Sequence, residues 1–179
     1  MGHIEYCTPE VRDWLSLLVY DKAGDLIAPK LRKDLRLYKN NIDFNGHCYG
    51  SHENYFMRWG KLDKDSNQNK LASLIPFLVT RQIFAGSGAY EKGFFRLSQR
   101  SAHTTRIFSD STSSEDKCVI LTRDEPHASK DNYSDYIRLM LVLGDANMCE
   151  VAGFLKYGTT ALGLELLEDN SNLKLKYQN

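Results

Sequence analysis

"IRLMLVLGDANMCEVAGFLKYGTTALGLELLED", Ile137 to Asp169, sets the fold class of this chain. Ile137 to Leu143 is almost wholly apolar, the pattern of a strand covered on both faces. Gly144-Asp145-Ala146-Asn147 then turns the chain. Asn147 with Glu150 three residues later is a capping signature, so a helix is expected from there to about Glu168. Met148, Val151, Leu155, Leu162 and Leu166 give it an apolar stripe, and Gly158 interrupts it.

Working back from that pair, Lys117–Leu121 and Phe94–Gln99 read as strands. Between them lies the Ser- and acid-rich loop Ser109–Lys117. Leu71–Phe84 reads as a helix with Pro76 near its start and Gly86-Ser87-Gly88 at its end. Arg36–Asn41 and Cys48–Met57 read as strands joined through Phe44-Asn45-Gly46, and Lys61–Asn69 as a polar connection. "HIEYCTPE", His3 to Glu10, opens as a short strand. Thr8-Pro9-Glu10 reads as a helix start, with Val11, Trp14, Leu15 and Leu18 at helical spacing. Gly24 and Pro29 predict a kink or a second short helix. Strands and helices do not alternate regularly and no repeat is present. The expectation is an α+β fold with helices packed on a mainly antiparallel sheet.

Composition narrows the function. The 179 residues suit one domain or part of a larger one, and 42% hydrophobic residues can bury a core. Lys+Arg and Asp+Glu both number 23, so no basic footprint marks a nucleic-acid binder. No apolar run approaches the roughly 20 residues that cross a bilayer, and no signal segment opens the chain. Cys7, Cys48, Cys118 and Cys149 are far apart and form no CxxC pair, as expected of reduced thiols in a cytoplasmic protein.

"LYKNNIDFNGHCYGSHENYFM", Leu37 to Met57, interleaves Asn, Asp, His and Glu with Tyr38, Tyr49, Tyr55 and Phe56. Such polar groups on an apolar frame need partners. His3 with Glu5, His52 with Glu53 and Asn54, and "TRDEPHA" (Thr122 to Ala128) bring carboxylates and imidazoles near predicted strands. Hard oxygen ligands of this kind suit magnesium, and Arg100 and Arg123 suit phosphate oxygens. Blander readings stand beside these. In these, Thr8 serves only as an N-cap, any single His is solvated, Glu53 pairs with a surface lysine, and Asp124 and Glu125 cap a turn before Pro126. The pattern alone is compatible with phosphoryl transfer and with a structural ion-pair network.

"LYKNN", "HENYFM", "VTRQIFAGSG", "LSQR", "TRDEPHA", "GDANM" and "GTTALGLELLED", in this order, resemble the Pup ligase and Pup deamidase/depupylase family over nearly the whole chain. The resemblance implies a carboxylate–amine ligase fold, similar to glutamine synthetase. That fold is a curved, mainly antiparallel sheet with packed helices, here a partial catalytic domain over 1–179, incomplete at both ends. It implies ATP and magnesium as cofactors. Thr8, Arg100 and Arg123 would contact the nucleotide or substrate. Glu5, His52, Glu53, Glu125 and His127 would face the metal, although alternation along a strand keeps His52 and Glu53 from both reaching it. The family's catalytic aspartate would lie before residue 1. Several strings lean to the deamidase/depupylase, acting on Pup and pupylated proteins in the proteasome pathway. Ligation of Pup to lysine, or a non-catalytic remnant that binds nucleotide or Pup, are the alternatives. No catalytic residue is assigned within the chain, which alone is expected to be inactive.

Overall fold

The apolar run near residue 140 sits at the middle of the architecture. The structure is a computed structural model that describes residues 4–31, 34, 36–58, 69–111, 117–123 and 136–169. Its main sheet has four strands, β1 (Glu53–Arg58), β4 (Thr104–Ser109), β5 (Lys117–Leu121) and β6 (Tyr136–Leu141), in the order β1-β6-β5-β4. β1 and β5 pair antiparallel with β6, whereas β4 lies parallel to β5 with a register shift between Thr104 and Arg106. A separate hairpin joins β2 (Ala89–Glu91) to β3 (Phe94–Arg96). The helices are α1 (Trp14–Leu31), α2 (Ile75–Thr80), α3 (Gln82–Ala85) and α4 (Glu150–Asp169). The fold is α+β, as expected.

β1 shows how the sheet is sided. Its burial alternates, with Glu53 and Met57 buried and Asn54, Phe56 and Arg58 exposed. The register sets Glu53 opposite Leu141, Tyr55 opposite Leu139 and Met57 opposite Ile137. That face packs with Leu71, Leu74 and Leu78 and with Leu164 and Leu167 of α4 into the principal core. On the other face Phe56 stacks on Tyr136 with ring centroids 5.0 Å apart. Cys118, Leu121 and Val142 form a smaller cluster, with Met140 against it.

Several expected boundaries move, each for a local reason. The first helix begins at Trp14, not at Thr8. Asp13 is the residue that accepts bonds from the Ser16 amide (2.8 Å) and hydroxyl (2.7 Å). No break falls between Gly24 and Pro29, and Pro29 lies in the last turn of α1. No strand forms over 36–41. Only one bridge, Ile42 to Cys48, pairs this region, and Asn40 and Asn41 spend their amides on the carbonyls of Ile42 and Ala146. The segment 4–10 is likewise irregular. The helix expected over Leu71–Phe84 is broken at Ser73-Leu74 and at Arg81.

The last helix is present but presents another face. Met148, Val151, Leu162 and Leu166 are exposed, while Gly153, Lys156, Tyr157, Gly158, Thr160, Leu164 and Leu167 are buried. α4 runs through Gly158 unbroken. Asn147 does not cap it: its side-chain oxygen accepts no hydrogen bond among the described residues, while its amide donates to the Ala85 carbonyl at 2.8 Å. Gly153 lets α1 come close, since a Cβ there would stand 2.7 Å from the Leu18 Cδ1 atom. Trp14 meets Phe154 edge to face at 4.5 Å. Glu125 and His127, with the rest of "DEPHA", lie outside the described residues, as do His3 and 61–68.

Candidate anion-binding site

His52 and Glu53 part company at the start of β1, as alternation requires. Glu53 turns into the core, 4% exposed. Both its oxygens are taken by Arg81, at 2.7 Å to Oε1 and 3.0 Å to Oε2, and the Tyr55 hydroxyl donates to Oε2 at 2.9 Å. Arg81 also donates to the Thr160 hydroxyl at 2.6 Å, and the Lys156 ammonium stands 3.7 Å from Glu53 Oε1. Burial pushes the Glu53 carboxyl up, but the Arg81 and Lys156 charges and the bonds to it outweigh that and hold it below its ordinary value. Burial likewise drives the Lys156 ammonium down, against the pull of Glu53. Glu53 is thus placed as the counter-charge of Arg81, not beside His52, where it was expected to face a metal.

A second buried carboxylate, Asp145, sits in the turn after β6 and is fully buried. It accepts from the Ser87 amide and hydroxyl (both 2.9 Å), the Ser98 hydroxyl (3.0 Å), the Gln99 amide (3.1 Å) and the Arg100 amide (3.0 Å). Its own carbonyl accepts from Lys156 at 2.8 Å. Asn41 ties in the neighbouring backbone, accepting from the Ala146 amide at 2.7 Å and donating to the Ser87 hydroxyl at 2.9 Å.

Arg100 opens a 3₁₀ turn, Arg100–His103, and is 2% exposed. Its Nε donates to the Val142 carbonyl. One terminal nitrogen lies 3.4 Å from the Cys48 sulfur and the other 3.5 Å from the His52 Nε2 atom. His52 is exposed at the rim, with its ring against Gly50. A Cβ on Gly50 would fall 2.2 Å from His52 Nε2, so only glycine leaves room for the imidazole. Desolvation, then the Arg100 and Lys117 charges, hold the imidazole below its ordinary value, and Glu5 pulls it the other way. Glu5 is exposed, and the rim joins an imidazole to a guanidinium.

Among the described residues the buried charged side chains are Glu53 and Asp145 against Arg81, Lys156 and Arg100. Arg81 and Lys156 both face Glu53. The guanidinium of Arg100 meets a carbonyl, a thiol and an imidazole, none of which offsets its charge. A buried cation left in that state favours an incoming anion. Thr8 is half-buried in the irregular segment before α1, and Arg123 is exposed two residues past the end of β5. Among the described residues no three His, Cys, Asp or Glu side chains are close enough to hold a metal ion by themselves.

Sequence reasoning missed Asp145, Lys156 and Arg81. The "GDAN" turn carried the signal, because an Asp directly after a strand with two buried faces has no solvent to turn to. Lys156, between Leu155 and Tyr157, was equally open to notice.

The fold and rim define a class: an α+β domain with a buried guanidinium beside an exposed imidazole. The family is given by comparison. The model of the family described as Pup-ligase protein matches residues 1–178, so the chain belongs to that family, whose members are enzymes. It is 40% identical to the Pup deamidase/depupylase of Mycobacterium tuberculosis, covering 94% of this chain and 35% of that protein. It is 42% identical to the depupylase of Acidothermus cellulolyticus, with the same coverage, and 38% identical to the Pup–protein ligase of Mycobacterium avium, over 93% of this chain and 39% of that one. The solved structure of the Pup ligase PafA in complex with ADP superposes with a TM-score of 0.77 at 35% identity, over 96% of this chain and 40% of that one. A second solved structure, the complex of Pup with PafA, gives a TM-score of 0.69. The chain therefore spans little more than a third of the length of these relatives. Among the described residues no helix is long and apolar enough to cross a membrane.

Proposed function

We propose that this chain is the nucleotide-cradling part of an ATP- and magnesium-dependent Pup deamidase/depupylase of the cytoplasm. It would act on Pup and pupylated proteins, in the service of proteasomal degradation. The observation that carries the reading is the buried Arg100 guanidinium beside His52, with which no carboxylate among the described residues forms an ion pair. A structural relative is solved in complex with ADP, which supports a nucleotide as the anion. Arg100 would bind a phosphate or the substrate carboxylate by charge-assisted hydrogen bonds. Arg123 and Thr8 are the further candidates for nucleotide contact.

The donor set fits magnesium in kind. Glu5 supplies a hard oxygen and His52 a neutral nitrogen, the imidazole being held below its ordinary value. Magnesium draws its remaining ligands from water and phosphate. Glu125 and His127 complete the proposed set. When bound, the ion would screen the phosphate charge. Arg100 would orient the anion and Gly50 would keep the imidazole in place, so this stretch serves binding and charge stabilisation and contributes no nucleophile.

Ligation of Pup to a lysine is the second reading, favoured by the superposition on a Pup ligase. Two measurements decide. ADP titrated into the protein should bind, and Arg100→Ala should weaken it about tenfold or more, the loss of one charge-assisted bond. Absence of ADP binding by the parent refutes the cradle. Incubation of the longer protein with ATP and a pupylated substrate should release Pup. Consumption of free Pup into conjugates instead would favour ligation.

A further inference from the structure

Asp145 belongs to none of the groups assigned above, yet more bonds converge on it than on any of them. Five donors reach one carboxylate, from the loop after α3 and from the turn that begins 3₁₀ residue Arg100. A carboxylate has about four lone-pair sites, so these donors saturate it. Such saturation is what a fully buried ionised carboxylate requires.

The bonds have a direction. The Arg100 amide is held by Asp145, and the Arg100 Nε is held by the carbonyl of Val142, three residues earlier. One short stretch after β6 therefore grips both ends of Arg100. Ser98 relays the hold, since its hydroxyl donates to Asp145 at 3.0 Å and accepts from the Ser101 amide at 3.1 Å. Behind the turn, Lys156 links the Asp145 carbonyl to Glu53 and Arg81.

We propose that Asp145 is a positioning residue for Arg100. Its buried carboxylate fixes the Ser98–Arg100 backbone and so delivers the guanidinium beside His52. The statement about ligand rests on the nucleotide reading above, whereas the statement about backbone does not.

Asp145→Asn keeps the volume but turns an amide N–H₂ toward amide and hydroxyl donors. Two readouts follow. Amide hydrogen exchange should show Ser87, Gln99 and Arg100 losing protection tenfold or more, with Ile120 and Leu141 in the sheet within about twofold of the parent. ADP affinity should fall by a factor close to that of Arg100→Ala, and the double variant should be no worse than Arg100→Ala alone. A general loss of packing would instead multiply the two effects. Should Asp145→Asn not fold, Ser98→Ala removes one of the five bonds and the relay to Ser101. The same exchange loss, smaller, is then expected at Arg100.

Unchanged protection at the Arg100 amide overturns the proposal, and so does a double variant whose losses multiply. A parent that does not bind ADP refutes the nucleotide reading alone. The exchange result then still decides whether Asp145 holds Arg100.

Discussion

Removing the Glu53 carboxylate tests the buried network directly. Glu53→Ala strips Arg81 of two bonds at 2.7 and 3.0 Å and leaves two cations, Arg81 and Lys156, facing each other without an acid between them. Arg81 keeps Thr160, and Lys156 keeps the Asp145 carbonyl. Breaking a buried pair in this way costs about 3–5 kcal/mol, because the remaining charge stays desolvated. Against a total stability of about 5–15 kcal/mol the loss is large. Urea unfolding at pH 7, followed by circular dichroism, should show the midpoint lowered by more than about 1 M, given a slope of roughly 1–3 kcal/mol per molar. The pH profile carries a second signature. In the parent the Glu53 carboxyl is held below its ordinary 4.5, so the unfolded chain binds more protons in acid, and stability falls as pH drops below that value. Glu53→Gln lacks this loss. The same change removes the interaction that opposes the fall in the Lys156 pKa, so the folded ammonium sheds its proton at lower pH still. The variant should therefore gain stability as pH rises toward the ordinary lysine value of 10.5. A Glu53→Ala midpoint within about 0.3 M of the parent, or a Glu53→Gln profile parallel to the parent's at both ends, would refute the reasoning.

Gly50→Ala should leave the urea midpoint almost unchanged yet displace the His52 ring, whose Nε2 would lie 2.2 Å from the new Cβ. The imidazole signals should shift in NMR spectra and ADP affinity should drop, and unmoved ring signals would contradict the rim geometry. Asp43 accepts from the Asn45 and His47 amides, the His47 ring and the Tyr49 hydroxyl, and these bonds, His47 foremost, hold its carboxyl well below the ordinary range. The loop over 42–48 should therefore keep its slow amide exchange through mild acid and lose it only as pH falls below that range. Asp43→Asn should show fast exchange at His47 at every pH.

The sequence was most legible where one physical demand acted alone. Lys117–Leu121 is a strand as expected, because Val119, Ile120 and Leu121 are buried and no polar group competes for the backbone. It was least legible on α4. The helix turns Lys156 and Thr160 inward and leaves Val151, Leu162 and Leu166 outside, since the buried Glu53 carboxylate, the Asp145 carbonyl and the Arg81 guanidinium demand polar partners that an apolar stripe lacks. Periodicity ranks residues by hydropathy and so assigns the wrong face. β4 escaped notice for a related reason: "TTRIFS" is an edge strand with no side chain fully buried, and its pairing with β5 is long-range. The rim was legible in part. His52 and Arg100 come together, whereas Glu53 goes to the core, and the start of β1 at Glu53 decides which neighbour goes where.

That division has a consequence for how the site tolerates change. Glu53 ties β1 to Arg81 and α4, and its neighbour His52 stands at the rim on the other side, so one strand end serves both cohesion and ligand. Each task has its own set of partners: Arg81, Thr160 and Lys156 for the first, Gly50 and Arg100 for the second. They meet at Asp145, whose carboxylate holds the Arg100 turn and whose carbonyl holds Lys156, and at Ser51, whose hydroxyl accepts from Lys156 at 3.4 Å. Substitutions at Arg81 or Thr160 should then act on stability with little change in anion affinity once the protein is folded. Those at Gly50 should act on affinity with little change in stability. Asp145 is the position at which the two effects should move together, and a variant there that altered one while sparing the other would show that the two networks are not joined through it.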